Sequence, residues 1–437
     1  MQKLNKAQLN KPIAKQKGIA LIIFALILVF ATITFLVSQL DGNGVKIERD
    51  KKTAAALAEA KSALIGYAAG IDLPITGPGS GARPGDLPCP DNHSSGTLEG
   101  TSSTPCNANA LGRLPWKTLG IADLRDGSGE RLWYAVSINF KNSSRTSCTT
   151  ISTGGCLNSD TNGTITVRDS TGAIINDGSS TSAAIAVVIA PNSPLQRQDG
   201  LVQNRSAANY NAANHFLDNT AVEDNSNFVN GGLNGFINGE LKNASQQVIV
   251  NDRMMVISKQ DLMPLLEKRV ANEVLRCMNA YASAPVTGVV GTYPWPAQLN
   301  TASPPSYVGV PNNLFGRLPS SPMGGSWSGG CSIAASGLVG WWLNWREIVV
   351  YAVADGYKPT ASSPACGTCL TVSLPSAAAD KRIVVLVAGQ IIGSQARNTN
   401  AKKGTLSNYL EAANSLGGTS YLQQNATPAF NDVVVYR

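Results

Sequence analysis

Charge is scarce in this chain. Asp, Glu, Lys and Arg together make up 14% of its 437 residues, and the only histidines are His93 and His215. Two histidines cannot furnish the ligand sets of most zinc sites, and Cys366-Gly367-Thr368-Cys369 has no second cysteine pair at ligand spacing. No H-E-x-x-H, phosphate-cradling G-x-x-x-x-G-K-[ST] or G-x-G-x-x-G string occurs. The nearest approach to a G-x-S-x-G nucleophile elbow is Gly325-Ser326-Trp327-Ser328-Gly329, with Trp where the serine is needed. Hydrolase, NTPase and dinucleotide chemistry thus lack their usual sequence signatures, and the residues call for no cofactor.

Acidic residues are absent before Asp41, whereas Lys3, Lys6, Lys11, Lys15 and Lys17 precede the first apolar run. Those five lysines supply most of the net charge of +7. The remainder is close to neutral and carries no clustered Lys/Arg that could track phosphates, so nucleic acid is not an expected partner. Residues 19–40 read IALIIFALILVFATITFLVSQL without one charge. As a helix, at ~1.5 Å per residue, this run would measure roughly 33 Å, enough to cross a hydrocarbon core of about 30 Å. With lysines before it and Asp41 after it, the expectation is a single transmembrane helix at 19–40. A basic cytoplasmic leader would occupy 1–18, with the rest exported from an inner membrane. A cleaved signal peptide is the alternative, although the run exceeds the usual h-region and ends in Val37-Ser38-Gln39-Leu40 rather than a small-x-small site.

Beyond Gly42-Asn43-Gly44, read as a short interruption, the segment VKIERDKKTAAALAEAKSALIGYAAG is rich in helix formers. Ala54, Leu57, Ala58, Leu64, Ile65 and Ala68 can share one face of that helix, with Lys61 as the polar break. The border Lys17-Gly18-Ile19 places Gly directly before an unbroken apolar helix. This arrangement resembles the start of type IV pilins and type II secretion pseudopilins. The resemblance implies processing by a prepilin peptidase between Gly18 and Ile19, an N-methylated mature end, and other pilin-like subunits as partners. It departs from the family at Ile23, where most members carry Glu. The strings RPGDLPCPD, GRLPWKTLG and ERLWYAV are similar to those of uncharacterised pilin-like proteins. A simple stalk beside the membrane would share the helical pattern.

The remainder reads as two diverged copies of one unit, 45–257 and 258–437. Ile65-Gly66-Tyr67-Ala68 answers Asn279-Ala280-Tyr281-Ala282, and Gly112-Arg113-Leu114-Pro115 answers Gly316-Arg317-Leu318-Pro319. Trp133-Tyr134-Ala135-Val136 answers Val350-Tyr351-Ala352-Val353, and Asn251-Asp252 answers Asn431-Asp432. The helix of the second copy shows a stripe of Leu262, Leu265, Leu266, Val270, Val274, Met278 and Tyr281, with Asp261 as its candidate N-cap. The expected fold class is α+β. The transmembrane helix would run into an amphipathic helix, followed by two tandem pilin-like heads, each a helix on an antiparallel sheet.

All eight cysteines follow the apolar run. Their order in the two copies suggests the pairs Cys148–Cys156 and Cys366–Cys369, with Cys89–Cys106 and Cys277–Cys331 as the remaining bridges. Redox chemistry at Cys366–Cys369 is a lesser reading, because the strand-like LTVSL follows where a helix would be needed. Asp86, Asp123, Asp126 and Glu130 with Arg113, Arg125 and Arg131 could form an acid/base or calcium site, or simply a turn with ion pairs. Trp341, Trp342 and Trp345 could stack on sugars or bury a short helix. The expected function is that of a structural minor pilin or pseudopilin-like subunit, not an enzyme, with an unidentified surface ligand. A membrane-anchored binding or adhesive protein and an anchored hydrolase are the alternatives.

Overall fold

A computed structural model describes residues 19–71, 83–93, 96–103, 106, 110–141, 156–228, 235–300, 306–327, 331, 333, 341–373 and 377–437, with 19–24 and 33–43 described in backbone only. Two long helices and five small sheets organise it. Helix α1 spans Ile19–Gly70 and α2 spans Lys259–Ser283.

In the first half the strands are β1 (Leu111–Arg113), β2 (Trp133–Val136), β3 (Val167–Arg168), β4 (Ile174–Asn176), β5 (Ala186–Ala190), β6 (Phe236–Ile237), β7 (Leu241–Lys242), β8 (Val248–Val250) and β9 (Arg253–Ile257). In the second they are β10 (Phe315–Arg317), β11 (Val349–Val353), β12 (Leu370–Ser373), β13 (Ala379–Lys381), β14 (Ile383–Val387), β15 (Ser420–Leu422) and β16 (Val433–Tyr436). Each half builds a four-stranded sheet, β1-β2-β5-β9 or β10-β11-β14-β16, antiparallel throughout. Each also builds a three-stranded sheet, β4-β3-β6 or β13-β12-β15, in which one pair runs parallel. The strands β7 and β8 form a hairpin found in the first half.

Register coincides between the halves as well as order. Gly112 sits opposite Tyr134, and Gly316 sits opposite Tyr351. Tyr134 in turn faces Val188, and Tyr351 faces Val385. Both tyrosines are fully buried, and each donates its hydroxyl to a proline carbonyl, Pro88 at 3.2 Å and Pro294 at 3.0 Å. Glycine precedes the arginine in both strands because a Cβ would strike backbone oxygens, Asp91 O at 112 and Ala297 O at 316.

Helix α1 lies on β5 and β9, α2 lies on β14 and β16, and the helices pack on each other. The buried face of α1 is Thr53, Ala56, Leu57, Ala60, Leu64 and Ala68. That face is rotated from the one expected, because Ala54 and Ala58 are exposed. Small residues let a neighbouring element approach closely, and Lys61 at the margin pairs with Asp261 at 2.8 Å and donates to the Val256 carbonyl. Asp261 is not the N-cap. It sits in the first turn behind Ser258, and its carboxylate accepts from the Ser258 N–H and hydroxyl.

Three expectations are overturned here: the fold class with its N-terminal transmembrane helix, the membrane-spanning description, and the single-pass inner-membrane location. Among the described residues no helix is long and apolar enough to cross a membrane. Within the apolar run, described side chains cover 25–32, about 12 Å of helix against the ~30 Å required. From 44 onward α1 carries Lys46, Glu48, Arg49, Asp50, Lys51, Lys52, Glu59 and Lys61. The sheets are also smaller and more numerous than one antiparallel sheet per head. Nor is α1 interrupted at Gly42–Gly44: glycine costs only about 1 kcal/mol in a helix interior, too little to stop a helix that extends far on both sides.

Replacing Ala60, which is fully buried at the helix seam, by Leu should destabilise the fold by about 1–3 kcal/mol in denaturant unfolding. Ala54→Leu, on the exposed side of the same helix, should stay within ~0.5 kcal/mol.

Candidate functional site

The residues singled out in the sequence come to rest in separate places. Gly18 and Cys148 lie outside the described residues, and Ile19 is described only as the first residue of α1. The structure contains the disulfides Cys89–Cys106, Cys277–Cys331 and Cys366–Cys369, with Cα–Cα distances of 5.6, 4.9 and 5.2 Å. Cys156 is disulfide-bonded as well. The Cys277–Cys331 bridge fastens the segment before the Trp341–Trp345 helix to the C-terminal part of α2.

Asp86 is fully buried, pairs with Arg83 at 3.3 Å and accepts the Arg83 N–H. Asp126, also fully buried, accepts the N–H groups of Ser128, Glu130 and Asn192 and so closes the turn before β2. Asp123 pairs with Arg125 and Arg131, and Glu130 pairs with Arg205. Each carboxylate is spent on a turn or an ion pair, and no group of three or more metal-ligating side chains occurs among the described residues. Trp341, Trp342 and Trp345 are buried on a short helix and present no stacking surface. His93 receives both Asp91 (2.9 Å) and Ser103 (3.2 Å) on the same ring nitrogen, Nδ1. A relay triad needs opposite nitrogens, so these three do not form one.

What sequence reasoning missed is a polar framework repeated in both halves. Each half holds an aromatic ring between two arginines. Arg113 and Arg205 lie 4.9 and 5.5 Å from the Phe216 ring centre, and Arg317 and Arg397 lie 5.2 and 4.9 Å from that of Tyr409. The Arg113 guanidinium also stacks on Tyr210, and burial lowers its pKa. Fully buried Arg317 donates to the carbonyls of Glu347 and Lys403 and to the Tyr409 hydroxyl, all at 3.0 Å. The Tyr409 hydroxyl in turn donates to Glu347, which also pairs with Lys403. The signal was present as Gln203-x-Arg205 with Phe216-Leu217-Asp218, against Gln395-x-Arg397 with Tyr409-Leu410-Glu411. The intervening segments, SAANYNAANH and NTNAKKGTLSN, differ in spelling and hid the equivalence.

The two halves meet over buried polar contacts. Asn344 Oδ1 accepts from the Leu157 N–H (2.8 Å) and from Arg83 (3.3 Å), while its carbonyl accepts from Asn158. Arg397 reaches across to Asp160 at 3.1 Å. In the same region burial pushes the Glu267 carboxyl up to about 7 and the Lys259 ammonium down to about 8.

The surface feature that stands apart is the other end of α1. Leu26, Ile27, Leu28, Val29 and Phe30 are 49–62% exposed, successive residues that cover every face of the helix. Contiguous exposed apolar surface of this kind marks an interaction site.

No family model matches this chain, and no curated protein or solved structure matches it.

Arg317→Met should destabilise the fold by about 3 kcal/mol or more, because Glu347 and Lys403 would keep their burial while losing a charged neighbour that orders them. Urea unfolding with both variants would check this, and Arg113→Met should show a similar though smaller loss, its guanidinium being less enclosed.

Proposed function

We propose that the protein is a structural subunit of a pilin-type assembly, of the minor pilin or pseudopilin kind, and that it works by association rather than turnover. In this reading the apolar N-terminal part of α1 packs laterally against the corresponding helices of like subunits. The double head remains outside the bundle and offers its long loops to partners. Processing by a prepilin peptidase between Gly18 and Ile19 belongs to the same reading.

One observation carries it: α1 is a single 52-residue helix whose two ends live in different surroundings. From Thr53 onward its inner face is embedded between sheet and α2, whereas Leu26–Phe30 expose apolar side chains all round. A rigid helix leads directly from the core of the head to that apolar segment, so a load on the segment reaches the head without a hinge. Association of apolar helices would bury on the order of 25 cal/mol for each Å² removed from water. The dispersed carboxylates and buried tryptophans also favour a structural over a catalytic role.

Photo-crosslinking amino acids placed at Ile27 and Phe30 in the host cell provide the test. Covalent adducts to the apolar helix of another subunit are expected at both positions, and none at Val222, an exposed residue of the head. Absence of helix-to-helix adducts from both positions would overturn the reading.

A further inference from the structure

Each half of the molecule buries a pair of carboxyl groups where the loop after the central strand returns to the last strand of the sheet. In the first half, Asp252 Oδ2 accepts the Asp218 N–H (2.8 Å) and Asn225 Nδ2 (2.8 Å). Asp218 Oδ2 accepts the N–H groups of Asn251 (2.7 Å) and Asp252 (3.3 Å), and its Oδ1 accepts from Gln203 (2.9 Å). In the second half, Asp432 Oδ2 accepts the Glu411 N–H (2.9 Å) and Asn414 Nδ2 (3.0 Å). Glu411 accepts the Asn431 N–H (3.0 Å) on Oε2 and Gln395 (2.7 Å) on Oε1.

The correspondence is residue for residue: 203 with 395, 218 with 411, 225 with 414, 251 with 431 and 252 with 432. Both asparagines also exchange two bonds with the backbone of the outer strand, Asn225 with Ile237 and Asn414 with Leu422. Both halves thus keep two carboxyls side by side, each tied to the backbone of its partner's segment.

Asp252 and Asp218 are fully buried, as is Asn414, while Asp432 and Glu411 are 4% and 8% exposed. In each pair one oxygen, Asp252 Oδ1 or Asp432 Oδ1, receives no donor from the described residues. The charged group facing the first pair is Arg205, which bonds Gln203 Oε1. On the second, Arg397 holds the Tyr409 carbonyl two residues before Glu411. Neither guanidinium bonds a carboxylate of its pair, so two adjacent negative charges in this low-dielectric site would be offset only by amide donors and, in the first pair, by the more distant Arg205 charge.

We propose that each half retains one proton between its paired carboxyls, Asp218–Asp252 and Glu411–Asp432, and that this proton clasps the long returning loop to the last strand. The clasp is a pH-sensitive element built twice into the fold. Burial together with the neighbouring carboxyl raises Asp252 well above the ordinary range and Asp432 to about 8, while burial raises Asp218 to about 6. A carboxyl whose pKa is higher folded than unfolded binds its proton more tightly in the native state. Its stabilisation is complete below the unfolded value near 3.8 and is lost as pH rises through about 6 and about 8.

Infrared spectra of the full chain would read the proton directly. The carbonyl stretch of a protonated carboxylic acid should persist above pH ~7, where ordinary carboxyls have long ionised. Glu267 titrates nearby, so the spectra are taken in a Glu267→Gln background. In parallel, the unfolding equilibrium constant in urea should rise at least about tenfold more between pH ~5 and pH ~9 for the native pairs than for Asp252→Asn/Asp432→Asn. A spectrum with no protonated-carboxyl band above pH ~6 would overturn the proposal even if the Asn variants fail to fold. An unchanged pH slope in folded Asn variants would overturn it as well.

Discussion

Everything in this molecule is hung on the seam between two helices. Thr53, Ala56, Leu57, Ala60, Leu64 and Ala68 of α1 turn toward one sheet and toward α2, while Leu262, Leu266, Val270, Val274 and Met278 of α2 turn toward the other. The resulting core is continuous, running from β2 and β5 through both helices to β11, β14 and the tryptophan helix. A second, smaller core closes the outer face of the first sheet, where Trp133, Ala135, Val187 and Ile189 meet Phe216 and Phe236. Alternation along the strands produces this division: Tyr134 and Val136 face the helices, Trp133 and Ala135 face away. Because the seam is made of small side chains, it tolerates little change of volume, and each sheet is positioned by the helix it carries.

Polar groups fix what apolar packing leaves open. Burying a carboxylate or guanidinium without partners would cost several kcal/mol, so each one found inside dictates where its neighbours must lie. Asp126 shapes the turn into β2, Asn344 locks one half against the other, and the arginine–aromatic stacks set the long loops over the sheet edges. These loops hold little regular structure, and their order comes from side-chain bonds to backbone such as those of Asn225 and Asn414. Divergence between the halves is concentrated at the surface, in loop length and in the added β7–β8 hairpin.

The landmarks shared by the two copies were legible in the sequence, and the structure places them on strands. Gly112-Arg113 and Gly316-Arg317 lie on β1 and β10, and the Tyr134 and Tyr351 strings lie on β2 and β11, because buried strands tolerate few residue types and keep their spelling. Helix faces were less legible: alanine stands on both sides of α1, so hydrophobicity alone rotated the expected face toward Ala54 and Ala58. The membrane-spanning helix was read from length and apolarity, and the described part of that run does not support it. The parallel pairs β3–β6 and β12–β15 could not be foreseen, since pairing direction is set by long loops with no periodic pattern. Asp252 and Asp432 stood out as matching landmarks, but their partners Asp218 and Glu411 did not, because a single acidic residue in a loop has the sequence signal of a turn, and only the fold brings Asp218 to Asp252.

In the proposed role, the head locked by the α1–α2 seam carries the exposed apolar segment Leu26–Phe30 into contact with like helices. Sedimentation equilibrium on the full chain and on an Ile27→Glu/Phe30→Glu variant addresses it most directly. Assembly of the native chain and a folded monomer of the variant, with matched circular dichroism, are expected. A native chain that stays monomeric across the concentration range, or a variant that assembles equally well, would contradict it.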